Sequence, residues 1–472
     1  MNVLDCSVVH FSQLVSDGAN RRIDSEFFSK RFIENERILE TSLHAKKSLR
    51  DITTKIDVGY VSSMVHEYVD SGIPLLQTQN IHQFLVDYSD CNHISPEFHA
   101  SLYKSQVFPG DCLVARSGSI GNTAFVLEND PQPLNSADII IVRANDRKVT
   151  NSYLAAFLNS KIGGLQVERY TSGGVQGHIN LKSIEYVVVP LTSRDLQVAI
   201  DSMVRNGMSL YHEASEMFGS AEQLLMKALG LEGWQPPEPL TYTCRSSVAF
   251  AAGRLDAEYF SPPVIDLVSY LRKDGLNISN VASSRKEHFD SHVRGDFNYI
   301  EISDVHIDGN AASERMSNAD APSRATWHVH KGDVITSMVR PIRCLSAQIT
   351  QDQDGFVCSS GFVVLKPVSV SSELLLTYLR LPLVCELMDL HTSASMYPAI
   401  SEEDLLNIPF RQIDSNYEDD IIQCIREAHR AHSEARLLLE QAKHAVEIAI
   451  EQSEAAALDY LKEFDAEKSK SN

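Results

Sequence analysis

One long amphipathic stretch organises this 472-residue chain: IDSMVRNGMSLYHEASEMFGSAEQLLMKA, from Ile200 to Ala228. Its small and apolar residues recur at alternating steps of four and three, the heptad pattern that keeps one stripe of a helix against a partner helix. These seam positions are Ile200, Val204, Gly207, Tyr211, Ala214, Phe218, Ala221, Leu225 and Ala228. The stretch therefore predicts a long helix that is paired with another.

The same seam occurs a second time, 221 residues further along the chain. Its positions are Ile421, Ile425, Ala428, His432, Ala435, Leu439, Ala442, Val446 and Ala449. Ser193 precedes the first stretch as a candidate N-cap, and Ser415 with Glu418 fits a capping box at the start of the second. Small residues along both seams permit close approach, so we expect two equivalent helices that pair antiparallel within the chain.

The segments before the two helices also resemble each other. RIDSEFF (Arg22–Phe28) is followed 232 residues later by RLDAEYF (Arg254–Phe260), and PGDCLVA (Pro109–Ala115) has a counterpart in KGDVITS (Lys331–Ser337). Short β-branched runs bounded by Gly and Pro predict strands in both segments. The expected fold is α+β, with two duplicated β-rich domains separated by two long, antiparallel coiled-coil helices.

This organisation predicts four regions. Residues 1–190 form the first β-rich domain with an N-terminal docking helix, and residues 191–235 form the first long helix and a linker. Residues 236–412 form the second domain, and residues 413–472 form the second long helix and its tail. Because each charged and aromatic phrase opens a repeat, we interpret both copies as docking elements.

Charge is distributed unevenly over the chain, whose net charge is −21. Residues 401–472 hold 17 Asp/Glu against 8 Lys/Arg, and residues 191–240 hold 7 against 3. The acidity weakens a nucleic-acid hypothesis but lies mainly in the predicted helices, so the β-rich domains can still carry a basic face. Eight scattered cysteines without a C-x-x-C pair indicate reduced thiols and neither a zinc site nor a disulfide framework.

No catalytic signature is present in the sequence. It lacks a phosphate-binding G-x-x-x-x-G-K-[ST] loop, H-E-x-x-H, G-x-S-x-G and the Asn/Asp-Pro-Pro-aromatic tetrapeptide of amino-methyltransferases. It also lacks an apolar run long enough to span a bilayer and a signal-like N-terminus. We therefore expect a cytoplasmic non-enzyme without a metal or cofactor of its own.

Two β-rich blocks, each followed by a heptad helix, resemble the specificity (S) subunit of type I restriction-modification enzymes. PGDCLVARSGSIGNTAFV (Pro109–Val126) is similar to that family's G-D-x-L-x-x-R-x-G-x-x-G segment. NSADIIIVRA, YLAAFLNS and TSGGVQGHINLKSIEYVVVPL resemble the elements that follow it in the target recognition domains. The resemblance covers nearly the whole chain, and its strength lies in the order of the motifs, which occurs twice.

The resemblance implies a DNA-reading subunit whose two target recognition domains each recognise half of a split site in double-stranded DNA. It implies partners as well: two methyltransferase (M) subunits and, in the full complex, two restriction (R) subunits, but no membrane. S-adenosylmethionine would be bound by the methyltransferase and not by this chain. The helices would set the half-site spacing, since Ile200–Ala228 spans about 43 Å and one turn of B-DNA about 34–36 Å.

Candidate DNA contacts are the amide, hydroxyl and guanidinium groups of polar loops at strand ends, which suit base edges and phosphates. In the first domain they are Gln77, Thr78, Gln79, Asn80, Arg116, Ser117, Ser119, Asn122, Ser172 and Gln176. In the second they are Ser303, Arg340, Arg343, Ser393 and Tyr397. The second loop keeps arginines but loses glycines and gains a proline, so we expect the two domains to read different sequences. An alternative role for Arg116 is an ion pair with a carboxylate of the core.

Seam residues of both helices are the candidate partner-binding positions: Tyr211, Phe218, Leu225, His432, Leu439 and Val446. Two other functions stay open. The same module could serve another bacterial DNA-modification or defence system, or the chain could be an acidic scaffold that binds proteins only. A fused methyltransferase is disfavoured, because its motif is absent and the repeats leave no room for a cofactor-binding domain.

Overall fold

The computed structural model describes residues 24–88, 91–171, 177–236, 239–306, 309–393 and 396–471. The chain divides into two compact units. Unit 1 comprises Met1–Tyr211 and Ser433–Asn472, and unit 2 comprises His212–His432. Each unit therefore includes part of both long helices. The four predicted regions stay a prediction.

Helices of both units are numbered in chain order. Within the described residues they are α1 (Lys30–Thr41), α2 (Leu49–Ile52), α3 (Pro96–Ser101), α4 (Asn151–Asn159), α5 (Lys161–Arg169), α6 (Leu181–Glu185), α7 (Arg194–Ala228), α8 (Ser246–Ala252), α9 (Pro262–Leu271), α10 (Ile278–Val281), α11 (Ser372–Arg380), α12 (Pro382–Leu390), α13 (Glu402–Leu406), α14 (Ser415–Glu451) and α15 (Glu454–Ser471). The mixed helix-and-sheet class is confirmed, as are the two long helices α7 and α14.

Unit 1 contains strands β1 (Ala45–Ser48), β2 (Thr53–Val58), β3 (Tyr68–Val69), β4 (Ile73–Leu76), β5 (Asn92–Ile94), β6 (Gln106–Val107), β7 (Cys112–Ala115), β8 (Thr123–Phe125), β9 (Leu134–Ser136), β10 (Ile139–Ala144) and β11 (Val188–Leu191). One sheet has the order β2-β10-β7-β8, another β3-β5-β4-β9-β6, and β1 pairs with β11. β7 and the centre of β10 are fully buried, because α4 covers one face of the first sheet and residues of the second sheet cover the other.

Unit 2 contains β12 (Leu276–Asn277), β13 (Ala282–Ser284), β14 (Asp296–Ile300), β15 (Glu314–Ser317), β16 (Ala325–His328), β17 (Val334–Ser337), β18 (Ser346–Gln348), β19 (Val357–Ser359), β20 (Phe362–Pro367) and β21 (Pro409–Phe410). Its sheets have the orders β13-β20-β17-β18, β15-β14-β19-β16 and β12-β21. In the first sheet Ser337 pairs with Phe362, as Ala115 pairs with Ile139 in unit 1.

Several side-chain contacts occur in both units at corresponding positions. The buried Tyr153 hydroxyl donates to the Pro190 carbonyl at 2.7 Å, and the buried Tyr378 hydroxyl donates to Pro409 at 2.7 Å. These bonds join the first helix after the sheet to the strand that leads into the long helix. The units thus share a sheet order and its anchoring contacts, while their origin by duplication stays a prediction.

The first turn of each long helix is tied to the rest of its unit. Gln197 accepts a hydrogen bond from the Thr150 amide at 3.0 Å, and Glu418 accepts from the Ser371 amide at 3.2 Å and from its hydroxyl at 2.9 Å. The Ser415–Glu418 capping box is therefore wrong. The Glu418 carboxylate points to Ser371, and the Asp414 carboxylate accepts from the Asn416 amide.

The long helices α7 and α14 pack together through the predicted seams. In unit 1, the backbone of Gly207 lies against Leu439 and Ala435, and in unit 2 the Phe218 ring lies 5.4 Å from the His429 ring. Unit 1 holds the beginning of α7 and the end of α14, and unit 2 holds the opposite ends. The pairing is therefore antiparallel, as expected.

The repeated opening phrases dock against their own units. Arg22 and Ile23 lie outside the described residues, but the Asp24 carboxylate accepts from the Phe27 amide at 3.0 Å. Phe27 is buried under the Arg169 guanidinium, whose Cζ lies 4.3 Å from the ring centre. In the second copy, the Tyr259 ring lies 5.5 Å from the His391 ring of the same unit. The helix after the first copy starts only at Lys30, so Asp24 caps a turn and not that helix.

Close packing at Gly207 gives a first prediction. A Cβ atom there would lie 3.0 Å from the Leu439 Cγ and 3.2 Å from the Ala435 carbonyl, so valine must push α14 away. We expect Gly207→Val to lower the free energy of unfolding by about 1–3 kcal/mol. Gly219→Val is the matched control on α7, because nothing lies within 4 Å of its Cβ. Urea denaturation followed by circular dichroism measures both, and equal midpoints would contradict the close seam.

Candidate nucleic-acid interface

An ion pair with a buried carboxylate supports the start of the strand that leads into the candidate loop in each unit. The Asp111 side chain is 0% exposed and accepts from the Arg143 Nε at 2.6 Å, from its Nη2 at 2.8 Å and from the Phe108 amide at 2.9 Å. Asp333 binds Arg285 in the same bidentate way, at 2.7 and 3.0 Å. Hydrogen bonding to these carboxylates raises the pKa of both arginines. The aspartate of each G-D motif is thus a structural anchor at the start of an interior strand.

The loop that leaves β7 is closed by the backbone of its own ends. The Ala115 amide donates to the Asn122 carbonyl at 2.8 Å, and the Gly121 amide donates to the Ala115 carbonyl at 3.1 Å. Gly118 and Gly121 have φ values of +65° and +91°, which favour glycine over residues with a side chain. The loop therefore projects from the sheet as a tight polar turn.

Arg116 opens this loop and is held by two acceptors. Its Nη1 donates to Asp138 Oδ1 at 2.8 Å, and its Nε donates to the Ile179 carbonyl at 3.1 Å. The carboxylate alternative for Arg116 is therefore observed, although the Asp138 side chain is 41% exposed and not part of the core. The ion pair lies at the surface, where a phosphate or base can compete with the carboxylate.

Thr78 and Ser117 join the same cluster. The Thr78 hydroxyl donates to the Asp138 carbonyl at 3.2 Å, and the Ser117 hydroxyl lies 3.4 Å from the Thr78 hydroxyl. We call Thr78, Arg116, Ser117 and Asp138 the unit 1 cluster. Sequence reasoning missed Asp138, which has φ of +54°. The one local signal was its position directly before β10.

Asn80 does not belong to a DNA-contacting surface. Its side chain is only 2% exposed, accepts from the Gln77 amide at 2.8 Å and donates to the Asp87 carbonyl at 3.0 Å. Gln77 is half-buried and accepts from Asn92 at 2.9 Å. The candidate role of Asn80 is therefore corrected: its amide closes the turn after β4.

In unit 2, Arg340 lies in the corresponding loop. Its amide donates to the Pro398 carbonyl at 2.8 Å, its Nη2 donates to the Met396 carbonyl at 3.2 Å, and its guanidinium lies 5.4 Å from the Tyr397 ring centre. Ser393 exchanges two backbone hydrogen bonds with Ala399 in the neighbouring segment. Arg340, Ser393 and Tyr397 are thus brought together, and all three are exposed.

The two loops have left-handed residues at two corresponding positions, although their sequences and lengths differ. Gly118 and Gly121 of unit 1 correspond to Arg340 and Cys344 of unit 2, which have φ of +51° and +54°. The Ile179 amide donates to the Arg116 carbonyl, and the Ile400 amide donates to Met338. Left-handed residues other than glycine cost about 1 kcal/mol each and concentrate at functional sites.

The chemistry of the matching positions is different. The strand pairing identifies the positions of unit 2 that match the unit 1 cluster. Thr78 corresponds to Ile302, Arg116 to Met338 and Asp138 to Gly361. A Cβ on Gly361 would lie 2.5 Å from the Ile302 Cδ1, so the isoleucine fills the space of the missing side chain. A polar, charged cluster in unit 1 is thus replaced by an apolar contact in unit 2.

The remaining candidates are spread over the same loops. Gln79, Ser119, Ser303 and Arg343 are exposed, while Asn122 is half-buried at the end of the unit 1 loop. Ser172 and Gln176 lie outside the described residues. Nothing contradicts a DNA contact by the exposed members, and their role stays a prediction.

The predicted partner-binding side chains lie in the helix seams. Phe218, Leu225, Leu439 and Val446 are at most 7% exposed, because each is covered by its own unit, and Tyr211 and His432 are half-buried. A partner subunit therefore cannot contact the four buried side chains directly. Partner contact by Tyr211 and His432 stays a prediction.

Other kinds of site receive no support from the described part of the chain. There, no group of three or more His, Cys, Asp and Glu side chains is arranged to hold a metal ion. Over the same residues, no helix has the length and apolarity required to cross a membrane.

The two aspartates of unit 1 predict unequal effects of the same substitution. Asp111→Asn leaves Arg143 facing a neutral amide in a buried site and should lower the free energy of unfolding by about 3 kcal/mol. Asp138→Asn affects a half-exposed pair, and asparagine tolerates positive φ, so we expect a loss below about 1 kcal/mol. Urea denaturation measures both values, and a larger loss for Asp138→Asn would contradict the structural role of Asp111.

Comparisons with known proteins identify similar solved structures. The crystal structure of a type-I restriction-modification system S subunit from M. genitalium is 10% identical, with coverage of 87% of this chain and 96% of that chain and a TM-score of 0.38. The HsdS subunit from Thermoanaerobacter tengcongensis is 12% identical, with coverage of 87% and 97% and a TM-score of 0.27. A structure describing complex assembly and conformational transition of the type I R-M system is 14% identical, with coverage of 87% and 98% and a TM-score of 0.27. No protein-family model and no curated protein matches the chain.

Proposed function

We propose that this chain is the DNA-reading specificity subunit of a type I restriction-modification complex. Each unit would recognise one half of a split site in double-stranded DNA. The observation that carries the proposal is the pair of exposed polar loops, which follow corresponding strands in both units, have left-handed residues at two corresponding positions and carry different side chains. That pattern suits two reading heads, derived by duplication, that recognise unlike sequences.

The unit 1 cluster offers groups that suit a base edge or a phosphate. Arginine binds guanine or phosphate, and serine, threonine and glutamine hydroxyls and amides bind several base edges. Because Arg116 is already oriented by Asp138 and by the Ile179 carbonyl, little side-chain freedom is lost when it binds. If a DNA group replaced the Asp138 carboxylate as its partner, Arg116 would be paired in both the free and the DNA-bound chain.

The unit 2 loop offers a different set of groups. Arg340 and Arg343 are exposed cations, and Tyr397 is 66% exposed beside Arg340. The apolar contact between Ile302 and Gly361 occupies the position of the polar cluster in unit 1. This difference supports recognition of an unlike half-site by each unit.

The partners follow from the same proposal. The chain would recruit two methyltransferase subunits through the outer faces of its helix pair and, in the full complex, two restriction subunits. It would catalyse no reaction itself and hold no cofactor, and S-adenosylmethionine would be bound by the methyltransferase. The helix pair would set the distance between half-sites. The acidic residues of 401–472, 17 Asp/Glu against 8 Lys/Arg, favour a protein partner over DNA for this surface.

Two alternatives are separated by experiment. The same module in another DNA-modification or defence system would read DNA but assemble with different enzymes, which purification of the tagged chain from its own cells would identify. A scaffold that binds only proteins would enrich no DNA sequence, with or without its partner.

The methylated sites of a strain that expresses this chain with its methyltransferase test the proposed function. We expect a methylated motif of two short specified blocks separated by an unspecified spacer of fixed length, because each unit reads one block. Methylome sequencing with and without the chain provides the measurement. A single continuous motif, or methylation that does not depend on the chain, would refute the proposal.

Separate substitutions in the two units should change separate halves of that motif. Arg116→Met introduces the residue found at the matching position of unit 2. It should lower the difference in binding free energy between the preferred and an altered sequence of one block by about 1–3 kcal/mol. Arg340→Ala should relax the other block by a similar amount. Competition binding of the methyltransferase complex to duplexes with one altered block measures the change.

Matched controls are available for both substitutions. Arg50→Met removes a surface arginine of unit 1 whose side chain is 71% exposed, and Arg315→Ala does so in unit 2, where the side chain is 76% exposed. Both control variants should retain full discrimination. If Arg116→Met and Arg340→Ala relaxed the same block, the assignment of one half-site to each unit would be wrong.

A further inference from the structure

Two helices that pack together in unit 1 have counterparts that border an open cleft in unit 2. α1 packs directly against α5, and the buried Asn35 amide on α1 donates to the Ile162 carbonyl at 3.0 Å. The helices in the corresponding places of unit 2 are α9 and α12. Val264 on α9 and Leu387 on α12 line a cleft of about 940 Å³. The cleft therefore lies beside helices whose counterparts are in contact.

The correspondence between these helices holds residue by residue. RIDSEFF precedes α1 and RLDAEYF precedes α9, and each helix begins directly after a serine. α5 and α12 both contain nine residues. The ring that follows each of them contacts the opening phrase of its own unit: Tyr170 lies 5.9 Å from Phe27, and His391 lies 5.5 Å from Tyr259. Positions on the two pairs of helices are therefore matched by counting from their first residues.

The ion pair that joins α1 to α5 lacks its cation in unit 2. Arg31, the second residue of α1, pairs with Glu168, the eighth residue of α5. The matching residues are Pro263, which carries no charge, and Asp389. Asp389 Oδ1 is shielded from solvent, and no group in the described part of the chain donates a hydrogen bond to it. A shielded acceptor without a donor costs free energy. Unit 2 thus retains the acceptor and lacks the cation that pairs with it in unit 1.

The cleft that Asp389 lines is both apolar and acidic. Trp234 and Ile342 also line it, and the apolar side chain of Ile342 is 51% exposed. Glu258 and Glu386 are exposed on its rim, and neither forms an ion pair with another side chain of the described residues. Because complementary charge selects the partner at an interface, this surface fits a ligand that carries a cation beside an apolar face. The same carboxylates would repel the phosphates of DNA.

We propose that this cleft binds an arginine-bearing apolar segment of a partner protein, and that the guanidinium pairs with Asp389 as Arg31 pairs with Glu168. Arginine suits the site because its planar fork bonds a carboxylate and stacks on an aromatic face, such as that of Trp234. An amphipathic helix that lays its apolar face in a groove is a common way to occupy such a surface. The inference goes beyond the proposed function, which places partner subunits on the outer faces of the helix pair.

The chain contains two tryptophans, which permits a direct binding test. Trp327→Phe leaves Trp234 as the single tryptophan, so the emission of the full chain reports on the cleft. The probe is a helical peptide of about 15 residues with leucines along one face and one arginine beside them. Its matched control contains citrulline, which is neutral and similar in shape, in place of the arginine. We expect a saturable change in Trp234 emission, with the citrulline peptide bound about tenfold more weakly because it forms no ion pair with Asp389.

Variants connect the binding to Asp389. Asp389→Asn should remove the preference for arginine, so that both peptides bind alike. Pro263→Arg introduces the residue found in unit 1, whose guanidinium should pair with Asp389 from within the chain and weaken binding of the arginine peptide about tenfold. Glu403→Gln is the control and should retain the preference, because this exposed carboxylate on α13 does not line the cleft. Circular dichroism checks that each variant is folded.

Three results would overturn the proposal. They are equal affinity for the two peptides, no saturable change in Trp234 emission, and a preference for arginine that Glu403→Gln removes as fully as Asp389→Asn. Isothermal titration calorimetry of the wild-type chain repeats the comparison without the Trp327 substitution and should give the same ratio of affinities. None of these measurements contains DNA, so a failure of the proposed DNA reading would leave them unchanged.

Discussion

Close packing between α7 and α14 is the constraint on which the rest of the structure depends. Gly207 leaves room for Leu439 and the Ala435 backbone in unit 1, and Phe218 fills the seam beside His429 in unit 2. Each unit contains part of both long helices: unit 1 joins residues 1–211 to residues 433–472, and unit 2 is the continuous segment 212–432. A weakened seam would therefore affect the packing of both β-rich regions at once.

Within each unit, strong buried contacts support weak exposed ones. The sheet of each unit is stabilised by a bidentate ion pair, Asp111–Arg143 or Asp333–Arg285. The strand that leads into each long helix is held by a buried tyrosine hydroxyl, from Tyr153 or Tyr378. The loops above them carry exposed pairs such as Arg116–Asp138, which contribute little to stability. Side chains in these loops can consequently change without loss of the fold, which is the property that a variable reading head requires.

The seam was predictable from the sequence because helical periodicity is a local property of the chain. The same holds for strands β7, β8, β10, β17 and β20, whose β-branched runs are short and bounded by Gly and Pro. Long-range contacts were not predictable in the same way. Asp138 and Arg340 adopt positive φ because segments distant in the chain hold them, and Asn80 looks like a base-reading amide until its partner Asp87 is known. Glu418 was assigned to a local capping box, but its acceptor role is satisfied by Ser371, 47 residues away.

The central claim is that two units with corresponding loops and unlike side chains read two separate DNA sequences. Selection from a random duplex library by the complex of this chain with its methyltransferase tests that claim most directly. The account predicts enrichment of two short, unlike blocks at a constant separation, with the separation unchanged when either block is altered by substitution in one loop. Enrichment of a single block, or of two blocks whose separation varies freely, would contradict it.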